Sequence, residues 1–174
     1  MSDTAIPTDP AARRPYRVTF VCTGNICRSP MAEHVLRKHV ADEGLPAVID
    51  SSGTGGWHIG HPADHRTVRT LRRHGFTDEH VARKFQRGWF DEYDLIIALD
   101  ATHLRELRAL ARDDRDRAKI RLLRSFDPAA GSDLDVPDPY YEDDDAFEHV
   151  LELIERAAPG IVEEIRRGLK EKRG

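Results

Sequence analysis

Short apolar segments alternate along this chain with segments whose apolar residues recur at helical spacing. Val18, Phe20 and Val21 give the first apolar segment the β-branched and aromatic character of a strand. Residues 95–99 are continuously apolar, which suits a strand buried on both faces of a sheet. These patterns predict strands at residues 17–22, 47–51, 94–99 and 119–123, and helices at residues 30–43, 64–73, 102–111 and from 143 onwards.

The order of these elements predicts the fold class. Strands that alternate with helices form a parallel sheet with helices on both faces. The sequence therefore predicts a single α/β domain on a four-stranded parallel sheet. Pro159 should kink or split the last helix near Ala158, because proline cannot donate the helical hydrogen bond. Ligands bind such sheets at the carboxyl ends of the strands, which is where Cys22 follows the first strand.

Residues 22–30 have the pattern of a tight loop that leads into a helix. Gly24 and Asn25 tolerate a positive φ, so the loop can curl back on itself. Ser29 is predicted to cap the helix, and Pro30 to occupy its first position. A loop wound onto a helix N-terminus directs several backbone N–H groups at one point, which makes an anion site.

Two side chains give this anion site a possible chemistry. The positive field at the helix start should favour the thiolate of Cys22, which is the nucleophilic form. The planar fork of Arg28 can hold two phosphate oxygens, and Ser29 can donate a hydrogen bond to the thiolate. The Cys–Arg spacing alone is weak evidence of a catalytic loop. The alternative is that Cys22 is a buried structural cysteine. The strand before it and the helix after it favour a phosphate cradle with a nucleophile at its base.

Composition limits the class of protein. The chain has 174 residues and a net charge of −4, so it has no overall attraction to nucleic acid. No apolar stretch approaches membrane-spanning length, which predicts no association with a membrane. Its two cysteines do not resemble the disulfide framework of a secreted protein. Residues 1–15 lack the features of a signal peptide and predict a disordered tail before a domain at 16–174. The expected location is cytoplasmic.

The segment Cys22-Thr-Gly-Asn-Ile-Cys-Arg-Ser29 resembles the active-site loop of the low-molecular-weight protein tyrosine phosphatases. The resemblance extends from Arg17 to the C-terminal helix and is closest to actinobacterial members. It implies a flavodoxin-like or Rossmann-like fold of the phosphotyrosine phosphatase I type, and a reaction without a metal or other cofactor. It implies a phosphocysteine on Cys22, with the phosphate held by Arg28. The other phosphate-binding residues that it implies are Thr23, Gly24, Asn25, Ile26, Cys27 and Ser29.

Hydrolysis through a phosphocysteine needs a group that protonates the leaving oxygen and later activates water. One carboxylic acid can do both in turn. The turn-rich segment 125–141 offers Asp127, Asp133, Asp135 and Asp138. A following proline restricts both Asp127 and Asp138, so this criterion does not choose between them. The resemblance does choose, because Asp138-Pro-Tyr-Tyr141 is similar to the general-acid loop of the family.

Three aromatic residues are implied to form the walls of the pocket. Trp57, Tyr140 and Tyr141 match the wall positions of the family, although aromatic residues in loops are often only packed. A phenyl ring held between Trp57 and Tyr140 would favour phosphotyrosine over phosphoserine. The resemblance also implies that a tyrosine kinase can phosphorylate Tyr140 and Tyr141.

Further residues are implied to support the cradle. Asn25, Ser29, Ser51 and His74 match a hydrogen-bond network of the family, whereas His74 alone is also a plausible cation at a helix C-terminus. Cys27 is either a small buried side chain or a partner that forms a disulfide with Cys22 under oxidation.

The sequence also leaves alternative functions. Phosphoarginine phosphatases resemble this loop except for a threonine at the position of Ile26. Related arsenate reductases use further cysteines, which this chain lacks. A phosphate-binding or phosphopeptide-binding module would have lost the nucleophile or the acid, and both are present. A zinc site at His58, His61, His65 and Asp64 is the less favoured interpretation of those side chains. The expected partner is a tyrosine-phosphorylated protein, the expected state is a monomer, and export without a leader stays open.

Overall fold

The computed structural model describes residues 15–173 as a parallel sheet enclosed by helices. All four strands are parallel, in the order β2-β1-β3-β4. The strands are β1 (Tyr16–Cys22), β2 (Ala47–Gly53), β3 (Leu95–Ala98) and β4 (Ile120–Leu122). The α-helices are α1 (Arg28–Asp42), α2 (His65–Arg73), α3 (Ala101–Leu110), α4 (Asp114–Ala118) and α5 (Asp144–Arg173), with 3₁₀ turns at Arg87–Asp91 and Leu123–Phe126. The predicted fold class is confirmed.

Strand β1 lies in the middle of the sheet because its residues are apolar on both faces. Val18 and Phe20 face a core that contains residues of α1 and α5. Val21 faces the opposite core, which contains Phe90 and Leu107. All three of these β1 side chains have no exposed surface, and burial of each contributes on the order of 2 kcal/mol. The strand that ends in Cys22 is therefore fixed from both sides.

Two predicted boundaries differ from the structure in ways that affect the site. Ser52 and Gly53 belong to β2, whereas the sequence predicted a loop from residue 52. Gly53 pairs with Cys22 across the sheet, and a Cβ built on Gly53 would lie 2.7 Å from the carbonyl oxygen of Thr23. The strand therefore continues beside the cradle, and its last residue is a glycine because the loop backbone passes against it.

The last helix is a second difference. Helix α5 runs without a break from Asp144 to Arg173 with Pro159 inside it, so it does not split near Ala158, and the kink predicted as the other outcome stays a prediction. The side chains before and after the proline, including Ile154 and Ile161, are buried in the same core. This continuous packing outweighs the hydrogen bond that Pro159 cannot donate.

Residues 1–14 lie outside the described residues, and with them almost all of the predicted N-terminal tail. Within residues 15–173, no helix combines the length and the apolar character that a bilayer crossing requires.

Candidate active site

The cradle connects the end of β1 to the start of α1. The helix begins at Arg28, and Cys27 precedes it without a side-chain cap. The prediction that Ser29 caps the helix and that Pro30 opens it is therefore wrong. Asn25 has a φ of 57°, and it is the one non-glycine residue of the described chain with a positive φ. This left-handed residue turns the loop back over the sheet, and Ser29 is drawn into the helix, where its hydroxyl faces Cys22.

A chain of hydrogen bonds holds the nucleophile candidate. The Sγ atom of Cys22 lies 2.9 Å from the Oγ atom of Ser29. The Nδ2 atom of Asn25 donates to the hydroxyls of Ser29 at 2.8 Å and Ser51 at 3.0 Å. Ser51 in turn donates to the buried carboxyl of Glu33 at 2.8 Å. The structure therefore brings Asn25, Ser29 and Ser51 together, and the Ser29 hydroxyl can donate to a thiolate.

His74 does not reach this network. It ends α2, and its Nε2 atom lies 2.7 Å from the carboxylate of Glu148 at the surface. The prediction of His74 as a support of the cradle is corrected to His80, whose Nε2 atom lies 2.6 Å from the carbonyl oxygen of Asn25. Burial lowers the pKa of His80, so the ring is neutral near pH 7 and Nε2–H donates to that carbonyl. His80 stabilises the loop at its left-handed residue.

Arg28 is fixed along one edge and available along the other. Its Nη1 atom donates to Asp100 at 2.8 Å and to the carbonyl oxygen of Val136 at 2.7 Å. Burial alone would raise the pKa of Asp100. The hydrogen bond from Arg28 and the nearby His103 outweigh this effect and bring the pKa below its ordinary value, so Asp100 stays ionised. Among the described residues, Nε and Nη2 of Arg28 have no hydrogen-bond partner, and Arg28 lines the cavity above Cys22. This edge can bind two phosphate oxygens.

His103 is a buried contact of the cradle that sequence reasoning missed. Its Nε2 atom lies 2.8 Å from the Oγ1 atom of Thr23. Its Nδ1 atom lies 3.2 Å from Asp100, but the direction is not that of a hydrogen bond, and this nitrogen has no hydrogen-bond partner among the described residues. Burial lowers the pKa of His103 to about 4. The neutral ring of His103 therefore contacts the cradle at Thr23, whereas its backbone N–H donates to Asp100, the carboxylate that orients Arg28, at 3.2 Å.

Of the four aspartates considered as acids, Asp138 is the one that lines the cavity with Cys22. Its Oδ2 atom is 3.9 Å from Nη2 of Arg28, and its Oδ1 atom accepts a hydrogen bond from the backbone N–H of Tyr140 at 3.1 Å. The others are engaged elsewhere. Asp127 accepts from the backbone of Ala129, Asp133 pairs with Arg124, and Asp135 accepts from the backbone of Ala101.

The cavity above Cys22 has a volume of about 250 Å³. Its walls include Trp57, Tyr140 and Tyr141, which are 74%, 38% and 91% exposed. The Trp57 ring lies across Gly55, where a Cβ would fall 1.8 Å from the indole. Large aromatic side chains with this exposure are typical of a binding site rather than of a core.

A sequence model described as the low molecular weight phosphotyrosine protein phosphatase family matches residues 17–171. The chain belongs to this family. It is 59% identical to a low molecular weight protein-tyrosine-phosphatase of Streptomyces coelicolor, over 87% of this chain and 94% of that protein. It is 47% identical to low molecular weight protein-tyrosine phosphatase A of Mycobacterium tuberculosis, over 84% of this chain and 90% of that protein. A crystal structure of a protein tyrosine phosphatase from Entamoeba histolytica superimposes with a TM-score of 0.83, at 30% identity, over 88% of this chain and 98% of that one.

The four side chains considered as a zinc site have different surroundings in the structure. His58 lines the cavity, and a Cβ on Gly24 would lie 2.9 Å from its ring, so the cradle and this wall are in direct contact. His58 and His61 lie together, with their Nδ1 atoms 3.4 Å apart, but both carboxylate oxygens of Asp64 accept hydrogen bonds from Arg66 and His65 is exposed. Residues 15–173 contain no group of three or more side chains placed to hold a metal ion.

Cys27 lies against the same cavity as Cys22. Both cysteines are free and buried, and burial raises the pKa of the Cys27 thiol well above its ordinary value. Cys27 is therefore a protonated thiol at neutral pH, unlike a nucleophile. Disulfide formation between the two under oxidation stays a prediction.

Proposed function

We propose that this chain hydrolyses phosphotyrosine on proteins, with Cys22 as the nucleophile and Asp138 as the general acid and base. One observation carries the proposal: Cys22, the free edge of Arg28 and Asp138 line a single cavity, at the carboxyl end of the central strand. Membership of the low-molecular-weight phosphatase family supports the same activity.

The first step transfers the phosphoryl group to sulfur. The thiolate of Cys22 attacks phosphorus, an S–P bond forms, and the bond from phosphorus to the phenolic oxygen breaks. Asp138 in its protonated form gives its proton to that oxygen, so the product leaves as a neutral phenol. Arg28 and the backbone N–H groups of the cradle bind the oxygens that gain negative charge in the transition state.

The second step returns the enzyme to its initial state. Asp138, now a carboxylate, accepts a proton from a water molecule, whose oxygen attacks phosphorus. The S–P bond breaks, inorganic phosphate leaves, and the thiolate of Cys22 is restored. The Ser29 hydroxyl, 2.9 Å from Sγ, stabilises the thiolate as the leaving group of this step.

The walls favour an aryl phosphate over other phosphate esters. Trp57 and Tyr140 line the cavity together with Cys22 and offer aromatic faces to a phenyl ring, which a phosphoserine lacks. Ile26, part of the same cavity, presents an apolar surface where a phosphoarginine would place its polar guanidinium. Phosphotyrosine is therefore preferred to phosphoarginine.

A trapping experiment tests this function. Wild-type enzyme quenched in acid during turnover of an aryl phosphate should carry a phosphate adduct on the peptide that contains Cys22. Cys22→Ser should abolish turnover and the adduct, whereas Cys27→Ser should retain the adduct and so assign it to the other sulfur. Turnover that persists in Cys22→Ser would refute the nucleophile assignment.

A series of leaving groups tests the acid. Asp138→Ala should lower kcat/KM, which reports the first step, by about a hundredfold or more for phenyl phosphate and by less for a nitrophenyl phosphate, because a nitrophenolate leaves without a proton. Asp127→Ala is the matched control, since Asp127 is also followed by proline but lies away from the cavity. Equal slowing of both esters by Asp138→Ala would show that another group is the acid.

The partners follow from the same chemistry. The substrate is a tyrosine-phosphorylated protein, and the 91% exposed side chain of Tyr141, beside Tyr140, is accessible to a tyrosine kinase. The two free cysteines suit the reducing cytoplasm, and the expected state is a monomer. Protein captured from a lysate by Cys22→Ser, and released by vanadate, would identify the substrate, and sedimentation would report the oligomeric state.

A further inference from the structure

Arg66, in the first turn of α2, contacts two parts of the site that are far apart in the sequence. Its Nε and Nη2 atoms donate to the two carboxylate oxygens of Asp64, each at 3.0 Å. Its Nη1 atom donates to the backbone carbonyl oxygen of Glu142, also at 3.0 Å. The whole guanidinium group is therefore engaged, with Asp64 on one edge and the loop after Asp138 on the other.

The loop that carries Asp138 has few other attachments. We call residues 137–143 the acid segment. Its other hydrogen bonds are local ones, such as Glu142 N–H to Pro139 and Ala146 N–H to Asp143, at the start of α5. Within the described chain, the hydrogen bond from Arg66 is the one that reaches the acid segment from a distant element, beside the ion pair of 3.9 Å between Arg28 and Asp138.

The other side of Arg66 is attached to the cradle. The backbone N–H of Asp64 donates to the carbonyl oxygen of Ile26 at 2.8 Å, and Thr67 donates to the carbonyl oxygen of Cys27 at 3.3 Å. Burial alone would raise the pKa of Asp64. The hydrogen bonds from Arg66 outweigh this effect and bring the pKa below its ordinary value, so the pair is ionised. Because Asp64 balances its charge, Arg66 acts on the acid segment through its directional hydrogen bond and packing contacts rather than through a net charge.

Aromatic rings complete the arrangement. The Cζ atom of Arg66 lies 4.6 Å from the ring centre of Phe147 and 5.6 Å from that of Tyr140. Phe147 is fully buried in α5, so one ring is fixed, whereas Tyr140 belongs to the acid segment. Cation–π attraction therefore holds the ring of the acid segment towards a guanidinium that Asp64 fixes.

We infer that Arg66 is a positioning residue that holds the acid segment, and with it Asp138, at its working distance from the cradle. This role depends on the proposed function of Asp138 as the general acid. Arg66 itself does not line the cavity. Its removal should therefore impair protonation of the leaving group and leave phosphate binding unchanged.

Arg66→Met tests the inference, because methionine keeps an unbranched apolar stem but cannot donate. We expect kcat/KM for phenyl phosphate, which reports the step in which the phenol leaves, to fall roughly tenfold to a hundredfold, since small displacements of a catalytic group have effects of this size. For a nitrophenyl phosphate the loss should be only severalfold, and inhibition by inorganic phosphate should change less than about twofold. Equal losses on both esters, or weaker phosphate inhibition, would overturn the inference.

Two controls separate positioning from general damage to the fold. Arg72→Met removes an arginine of the same helix that pairs with Asp78 at the surface, and it should match wild type. Arg66→Lys keeps the positive charge and a hydrogen-bond donor. If Arg66→Met is poorly folded, Arg66→Lys should still show part of the wild-type rate on phenyl phosphate.

A double-mutant cycle decides whether Arg66 acts through Asp138. In an Asp138→Ala background, Arg66→Met should cause little further loss, because the group that it positions is already absent. A full additional loss would overturn the inference even if Asp138 is the acid. If Asp138→Ala alone shows no dependence on the leaving group, the proposed acid fails instead, so the two failures are distinguishable.

Discussion

Acidification should destabilise the folded protein through His103, whose buried ring contacts Thr23 of the cradle. Burial lowers its pKa to about 4, with Asp100 acting against this shift and Arg28 adding to it. In the unfolded chain the pKa of a histidine is about 6.5. Between these two values the unfolded state binds a proton that the folded state does not. Stability is therefore complete above about pH 6.5 and is lost progressively as the pH falls to 4.

The size of the effect follows from the separation of the two values. A difference of about 2.5 pKa units corresponds to about 3 kcal/mol, at 1.36 kcal/mol per unit. Since domains are typically stable by about 5–15 kcal/mol, this one residue should remove a substantial part of the total. A doubly protonated ring can only donate at Nε2, so the Thr23 hydroxyl would have to accept that hydrogen bond.

Urea unfolding of wild type and His103→Gln at several pH values measures this contribution. Glutamine does not titrate and can still meet the Thr23 hydroxyl. The stability advantage of wild type over the variant should shrink by up to about 3 kcal/mol between pH 7 and pH 4. Burial also lowers the pKa of His34 and His80, but these rings titrate in both proteins and cancel in the comparison. A constant difference, or an NMR titration of His103 near 6.5, would refute the reasoning.

Two further predictions concern the pocket wall and the core. Trp57→Ala should raise KM for a phosphotyrosyl peptide about tenfold and leave inhibition by inorganic phosphate unchanged, because the exposed indole contacts the ring and not the phosphate; an unchanged KM would remove Trp57 from the wall. Gly160→Ala should lower the free energy of unfolding by about 2 kcal/mol, since its Cβ would lie 2.2 Å from the carbonyl oxygen of Phe126. Gly88→Ala is the control, because nothing lies within 4 Å of the Cβ that it adds. If the two variants unfold at the same urea concentration, α5 can shift to make room for the Cβ at residue 160.

The parts of the site that sequence reasoning located correctly depend on local signals. The apolar run before Cys22 and the turn residues after it define a strand and a loop without knowledge of the rest of the chain. The prediction that Asn25 takes a left-handed conformation is confirmed by its φ of 57°. The glycine after α1, Gly44, likewise has a φ of 64° and ends that helix close to the predicted position.

The parts that it missed depend on contacts between distant segments. His74 precedes a glycine at a helix end, which is a local signal, whereas His80 lies in an irregular segment that only the folded chain brings against Asn25. His103 lies inside an ordinary helical pattern, and nothing in that pattern indicates that it faces Thr23. Serine is a residue type that often caps helices, but the hydroxyl of Ser29 instead forms a hydrogen bond with the sulfur of Cys22.

The position of β1 between two hydrogen-bonded neighbours has a consequence for motion during catalysis. Val21 is paired with Ser52 on one side and with Ala98 on the other, so its amide can exchange deuterium only when the sheet itself opens. Residues 137–143 have no comparable ladder and should exchange many times faster. The end of β1, which carries the nucleophile, is thus rigid. The movement that admits substrate and releases phosphate is expected in residues 137–143, which carry the acid.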